Sequence, residues 1–308
     1  MTASSKAPVI PAQSEPSSRR AFIRSSSALT VGAAGVALAA SAAPAEAQQK
    51  GESILDKWVR TKKAVVGVDL TSKPMRFRDE SGKAAGLGID FLNGLLADVG
   101  AEPEYVEMPF GQTFAALAAG KFDMIGTFVT ILPSRALRGS FAGFPAHYQQ
   151  NVAYLREGLT VKDLSELNAT GRKIAAQQGT SEVGTARVTF AKAEIQTFPQ
   201  MPDCFNALGS GRVDAVITDM LSAPGVFKSF PKVTIAPGTV SSVANTFFMP
   251  HDDFKLWSFV TNWLRWSAGQ RAIQGWEDKW YAAELRETLK VSTVTVGPGG
   301  EPLTINPA

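Results

Sequence analysis

The 308-residue chain has a single cysteine, Cys204, so it closes no disulfide within itself and carries no CxxC metal or redox motif. It has only two histidines, His147 and His251, and they lack the spacing of metal ligands. Both are expected to be structural or exposed. No G-x-S-x-G elbow, HExxH pair, Walker loop or G-x-G-x-x-G after a strand occurs, which removes the commonest signatures of hydrolases, zinc proteases and nucleotide enzymes. Beyond the N-terminal region no run approaches the ~18 consecutive apolar residues of a spanning helix, so the remainder is expected to be soluble. What is present is 44% hydrophobic and 19% charged residues, enough for one or two packed domains.

The N-terminus reads as a leader. Ser18-Arg19-Arg20-Ala21-Phe22-Ile23 precedes an alanine-rich apolar run from Ala28 to about Ala43, and Ala45-Glu46-Ala47 supplies a small-x-small cleavage site. The paired arginines followed by Phe22 resemble a twin-arginine export signal. A membrane anchor is the alternative, but the run is short and rich in Ala and Gly. No cysteine lies at the cleavage site, so a lipid anchor there is excluded. Removing residues 1–47 takes away four basic side chains (Lys6, Arg19, Arg20, Arg24) and two acidic ones (Glu15, Glu46), and the net charge falls from +3 to +1. That balance excludes a polyanion binder, and no nucleic-acid partner is expected.

An internal repeat organises the rest. "FAALAAGKFDMIGTF" from Phe114 matches "FNALGSGRVDAVITD" from Phe205, 91 residues further on. Each copy predicts a helix stopped by Gly120 or Gly211, then a short apolar strand. "KKAVVGVDL" (62–70) and "RKIAAQQGT" (172–180) predict the opening strand of each half, and "GIDFLNGLLADVG" a helix ending at Gly100. Alternating strands and helices imply parallel sheets in two similar α/β lobes. In such sheets ligands meet the carboxyl ends of strands. Four exits are expected there: Asp69, Thr127-Phe128, Gly179-Thr180-Ser181 and Thr218-Asp219. The stretch "GTFVTILPSR" (126–135) predicts a buried strand that leads into a fixed charge, Arg135.

The chemistry at these exits suits a zwitterion. Arg135 can hold a carboxylate through two parallel hydrogen bonds. Asp219 can pair with an ammonium. Gly179-Thr180-Ser181 offers a hydroxyl and backbone N–H groups where a helix begins. Singly, each has a plainer reading: a structural arginine, a helix cap, a loop glycine. Trp257, Phe259, Trp263 and Trp266 are spaced as a packed helical face. The tail from Ser292, with Gly297-Pro298-Gly299-Gly300, predicts a loose extension.

These segments resemble the periplasmic amino-acid-binding proteins of ABC importers (family 3 extracellular solute-binding proteins). The resemblance runs from about Ala64 to Tyr281. It is carried by "KPMRFRDESGKAAGLGIDF", "LAAGKFDMI", "LPSRALRGSFAGFP", "QQGTSEV", "ALGSGRVDAVITD" and "GWEDKWY". It implies a two-lobed periplasmic-binding-protein fold of α/β class with the ligand cleft between lobes. The expected division is 52–150 with 245–285 as lobe 1, 151–244 as lobe 2 and 286–308 as an extension, with crossings near 148–154 and 236–248. The resemblance places Arg135 on the ligand carboxylate, Thr180 or Ser181 beside it, and Asp219 on the α-ammonium. Thr127 and Thr130 become polar contacts of the first lobe, and Asp69, Ser72, Phe110 and Phe128 fall near the ligand side chain. It further implies a periplasmic monomer without cofactor, metal or catalytic residues that passes an amino acid to an ABC permease. Departures fall around the side-chain pocket: Leu87-Gly88 for Phe-Asp, Leu132 for Thr, Met75 for an aromatic, and Ser72 where an aromatic often stacks on the ligand. Periplasmic cyclohexadienyl dehydratases resemble the same binders. That alternative needs an acid to protonate a leaving hydroxyl, for which Glu182 or Asp69 would have to serve.

Overall fold

The computed structural model describes residues 51–280; the expected leader (1–47) and C-terminal extension (286–308) lie outside the described residues. The first half begins with α1 (Ile54–Thr61), β1 (Lys63–Val68) and a small antiparallel sheet of β2 (Thr71–Ser72), β3 (Arg76–Arg78) and β4 (Ala84–Ala85). It continues through α2 (Leu87–Asp98), β5 (Glu102–Glu107), α3 (Phe110–Ala118), β6 (Met124–Thr130), α4 (Pro133–Ala136) and β7 (Ser140–Phe141). After β8 (His147–Leu155) the second half runs β9 (Lys173–Gln177), α5 (Ser181–Thr189), β10 (Glu194–Phe198), α6 (Met201–Gly209), β11 (Ala215–Asp219), α7 (Ala223–Ser229) and β12 (Thr234–Ile235). The chain returns through β13 (Ser241–Met249) and closes on α8 (Phe254–Gly269) and α9 (Ala272–Trp280).

The two-lobed architecture is visible in the strand order β10-β9-β11-β8-β13-β6-β1-β5. At one end β5, β1 and β6 are parallel; at the other β10, β9 and β11 are parallel. Between them β8 and β13 pair antiparallel, Asn245 opposite His147 and Ser241 opposite Asn151. The rest of β8 pairs with β11, and the rest of β13 with β6. Among the described residues, these two strands join the two halves of the sheet.

The sequence repeat has a structural cause. After α3 and α6, Gly120 (φ 66°) and Gly211 (φ 71°) take the left-handed conformation that ends each helix. The repeated aspartates do the same work in each half. Asp123 Oδ2 accepts Val65 N–H at 3.0 Å, and Asp214 Oδ2 accepts Lys173 N–H at 3.0 Å. In return the Asp123 and Asp214 amides donate to the carbonyls of Val65 and Lys173. Each aspartate therefore pins the start of its strand to the opening strand of its half. Asp123 also accepts the Trp58 indole N–H at 2.8 Å and pairs with Lys57 at 2.9 Å, which locks α1 to the sheet.

Two expectations need correction. All seven residues of β6 are buried, but the strand ends at Thr130; Ile131 is exposed and Leu132 already caps α4. Of the four aromatics on α8, Trp257, Phe259 and Trp263 pack against the core, Trp263 stacking on Trp276 at 5.8 Å, while Trp266 alone is exposed. Among the described residues no helix is long and apolar enough to cross a membrane.

Candidate functional site

The turn after β6 answers why that strand leads into a charge. Leu132 is extended and Pro133 supplies the fixed φ of a first helical residue, so α4 starts abruptly. The short helix swings Arg135 back beneath the strand it follows. Arg135 is 7% exposed, and its Nη1 donates to the Thr130 carbonyl at 2.9 Å. Its Nη2 donates to the Gly179 carbonyl of the other half, also at 2.9 Å. The guanidinium lies 5.0 Å from the ring centroid of Phe114 and 5.6 Å from that of Phe110. Burial lowers its pKa to about 10, against the opposing pull of Glu182. Arg135 stays cationic at neutral pH and retains N–H donors for a ligand.

Opposite it, β11 delivers Asp219 at its carboxyl end. One carboxylate oxygen caps the following turn by accepting Leu221 N–H at 3.0 Å. The other, Oδ2, is buried and has no hydrogen-bond partner among the described residues. A buried carboxylate oxygen left this way costs free energy until a donor arrives. Behind it stands His147, fully buried at the start of β8, with Nε2 at an ion-pair distance of 3.9 Å from Asp219 Oδ2. On its far side Nδ1 lies 3.5 Å from Oε1 of Glu277 on α9, also fully buried. Burial alone would lower the His147 pKa, but the two carboxylates outweigh it and raise it to about 9. Burial raises the pKa of Glu277, and His147 opposes that shift.

The second half contributes the opening of α5. Gly179 has a φ of 82°, and Thr180 begins the helix without a side-chain cap, leaving the first-turn N–H groups free of any side-chain acceptor. Ser181 Oγ lies 3.1 Å from Thr130 Oγ1 across the cleft, and Thr130 donates to Asn245 at 2.8 Å. Glu182, 5% exposed, accepts from Gln149 at 2.7 Å and from Ser181 at 2.9 Å. The two halves touch directly where Gly179 meets Gly111 of α3.

Together these walls line a cleft with a cavity volume of about 40 Å³. Of the residues expected at the site, Phe110, Phe128, Thr130, Arg135, Thr180, Ser181 and Asp219 line it, as does Ser72. Thr127 and Asp69 do not. Thr127 lies inside β6 on the face toward Gly88, because side chains alternate along the strand and Phe128 and Thr130 take the cleft face. Asp69 is consumed within the protein: it accepts from Thr71 N–H and Oγ1, from Phe110 N–H at 3.0 Å and from Gln177 Nε2 at 2.7 Å. It ties the two halves together and presents no polar edge to the pocket. Sequence reasoning did not place Met75, Arg76, Gln149, Gln177, Met201 or Asn245 in the lining, nor His147 behind it. Only the departure at Met75 and Ser72 hinted that this wall is unusual. Among the described residues no cluster of His, Cys, Asp and Glu could hold a metal.

Comparison with known proteins adds to this geometry. The family model for bacterial extracellular solute-binding proteins, family 3, matches residues 64–282. A curated relative from Haemophilus influenzae, named "Probable amino-acid ABC transporter-binding protein", is 28% identical over 204 residues, covering 65% of this chain and 77% of its own length. The cyclohexadienyl dehydratase of Pseudomonas aeruginosa is 24% identical over 229 residues, covering 70% of this chain and 81% of its own. Among solved structures, an ancestral amino acid-binding protein described as a precursor of cyclohexadienyl dehydratase superposes with a TM-score of 0.68 at 28% identity, covering 75% of this chain and all of that one.

Proposed function

The chain belongs to the bacterial extracellular solute-binding proteins of family 3, and from that premise we propose that it captures a free α-amino acid between its two lobes and delivers it to the permease of an ABC importer. The observation that carries this reading is the buried Oδ2 of Asp219, without a hydrogen-bond partner among the described residues, in the same cleft as the Arg135 guanidinium. Arg135 and the amides opening α5 take the ligand carboxylate, with Thr130 and the hydroxyl of Thr180 or Ser181 beside it. Asp219 takes the α-ammonium, and Phe110 and Phe128 flank the side chain. Lobe 1 comprises 52–150 and 245–285, and lobe 2 comprises 151–244.

The protein acts outside the cytoplasmic membrane as a monomer, exported by its twin-arginine leader and cleaved near Ala47. Replacing Arg19 and Arg20 with lysine is expected to leave precursor in the cytoplasm, and normal export would refute that route. The capture reading is tested by thermal shift against the proteinogenic amino acids. Stabilisation by a subset supports it, and no response to any of them contradicts it. A second reading, a dehydratase, has one supporting observation, the buried Glu182 carboxylate in the cleft wall. Steady conversion of prephenate or arogenate to its aromatic product, lost in Glu182→Gln, would establish it. Absence of turnover leaves the binding protein.

A further inference from the structure

The cleft wall holds two arginines, and only one is used by the fold. Arg76, on β3, faces Ser72 across the β2–β3 pair, and both line the cleft. The small Ser72 leaves room for its neighbour, and the Arg76 guanidinium lies 5.3 Å from the centroid of Phe110, the same ring that Arg135 approaches. Arg76 Nε is buried without a hydrogen-bond partner, and no carboxylate among the described residues is in ion-pair range of the guanidinium. Arg78, two residues on, pairs with Glu107. A desolvated guanidinium donor without an acceptor is costly unless a ligand supplies one.

The other charges of the cleft are already assigned. Arg135 and Asp219 answer the two ends of the zwitterion. Both Glu182 oxygens hold donors from Gln149 and Ser181, and Asp69 is saturated by its four. Apart from Asp219 Oδ2, every carboxylate oxygen in the lining already holds a donor, while the Arg76 Nε–H has no acceptor among the described residues. Met75, Met201, Phe110 and Phe128 supply apolar wall for the intervening methylenes. Resting on the amino-acid reading above, we infer that Arg76 seats a side-chain carboxylate, so that the ligand is an acidic amino acid.

Calorimetric titration of the purified protein with L-glutamate, L-aspartate, L-glutamine, L-asparagine and L-lysine tests this. One of the acids should bind on the order of tenfold or more tighter than its own amide. Arg76→Gln should bring that acid-to-amide ratio close to one, and Arg76→Lys should retain part of it. Melting temperatures of both variants report whether they fold. An amide that binds as tightly as its acid in the native protein overturns the inference, as does tightest binding of lysine. A ratio that survives Arg76→Gln overturns it too. Amino-acid binding without acid preference defeats this inference alone; no binding of any amino acid defeats the capture reading with it.

Discussion

Replacing Gly179 with alanine separates closure of the cleft from the chemistry of its walls. Gly179 sits at φ 82°, where a residue with a Cβ is strained by about 1–2 kcal/mol. That strain belongs to the local backbone and is felt whether or not the lobes meet. The second effect exists only when they do. A Cβ at 179 would overlap Gly111 Cα and come within 3.1 Å of Gly111 N. The obstacle is backbone at the opening of α3, so no rotamer change relieves it. Overpacking of this kind costs about 1–3 kcal/mol, and it falls on the closed arrangement. For a ligand that bridges both lobes, as proposed, a loss in the closed state appears directly in affinity, at about tenfold for each 1.4 kcal/mol. Gly179→Ala should therefore raise the Kd by about 5- to 150-fold. Small-angle scattering should also show a smaller ligand-induced decrease in radius of gyration. Gly111→Ala is the graded control: its Cβ would lie 3.2 Å from the Gln178 carbonyl, so its effect should be smaller and in the same direction. Unchanged affinity and undiminished compaction in Gly179→Ala would refute the argument that the lobes close at this contact.

His147 should make stability pH-dependent. Its folded pKa of about 9 lies above the ordinary 6.5, so its stabilisation is complete below 6.5 and is lost as pH rises through 9. Thermal melts of the native protein should fall across that window, and those of His147→Gln should be flatter there. At neutral pH His147→Gln leaves Asp219 and Glu277 buried without their shared counter-charge and should cost about 3–5 kcal/mol; a variant as stable as the native protein would show that the imidazole is not charged. Asp123→Ala should destabilise by about 1–3 kcal/mol, because the buried Trp58 indole N–H loses its acceptor, and should leave ligand affinity unchanged. An equal loss of affinity would mean that the Asp123 tie reaches the cleft.

The parts of this molecule that were legible in the sequence are those with a local signature. Gly120 and Gly211 punctuate helices in any context, and the aspartates three residues later recur because each half needs the same pin between strands. Pro133 set the start of α4, and so the placement of Arg135. What stayed hidden depends on direction and on distance along the chain. Thr127 and Phe128 are neighbours in β6, but only the second faces the cleft, and a strand buried on both faces gives no alternation of polarity to show which. The ties of Asp69 are invisible locally because its donors Phe110 and Gln177 come from remote segments, one of them in the second half. Glu277 reaches His147 from a helix whose aromatic residues dominate its pattern.

The central claim is that Arg135 and Asp219 clamp the two charges of one α-amino acid. Calorimetric titration of the native protein and Asp219→Ala with the best-bound amino acid and with its 2-keto acid tests it most directly. The amino acid should lose about 30-fold or more in affinity on Asp219→Ala, since a desolvated charge loses its partner. The keto acid, which keeps the carboxylate and lacks the ammonium, should bind weakly to the native protein and lose little further in the variant. Equal affinity of the native protein for the two compounds, or equal losses for both on Asp219→Ala, would contradict the account.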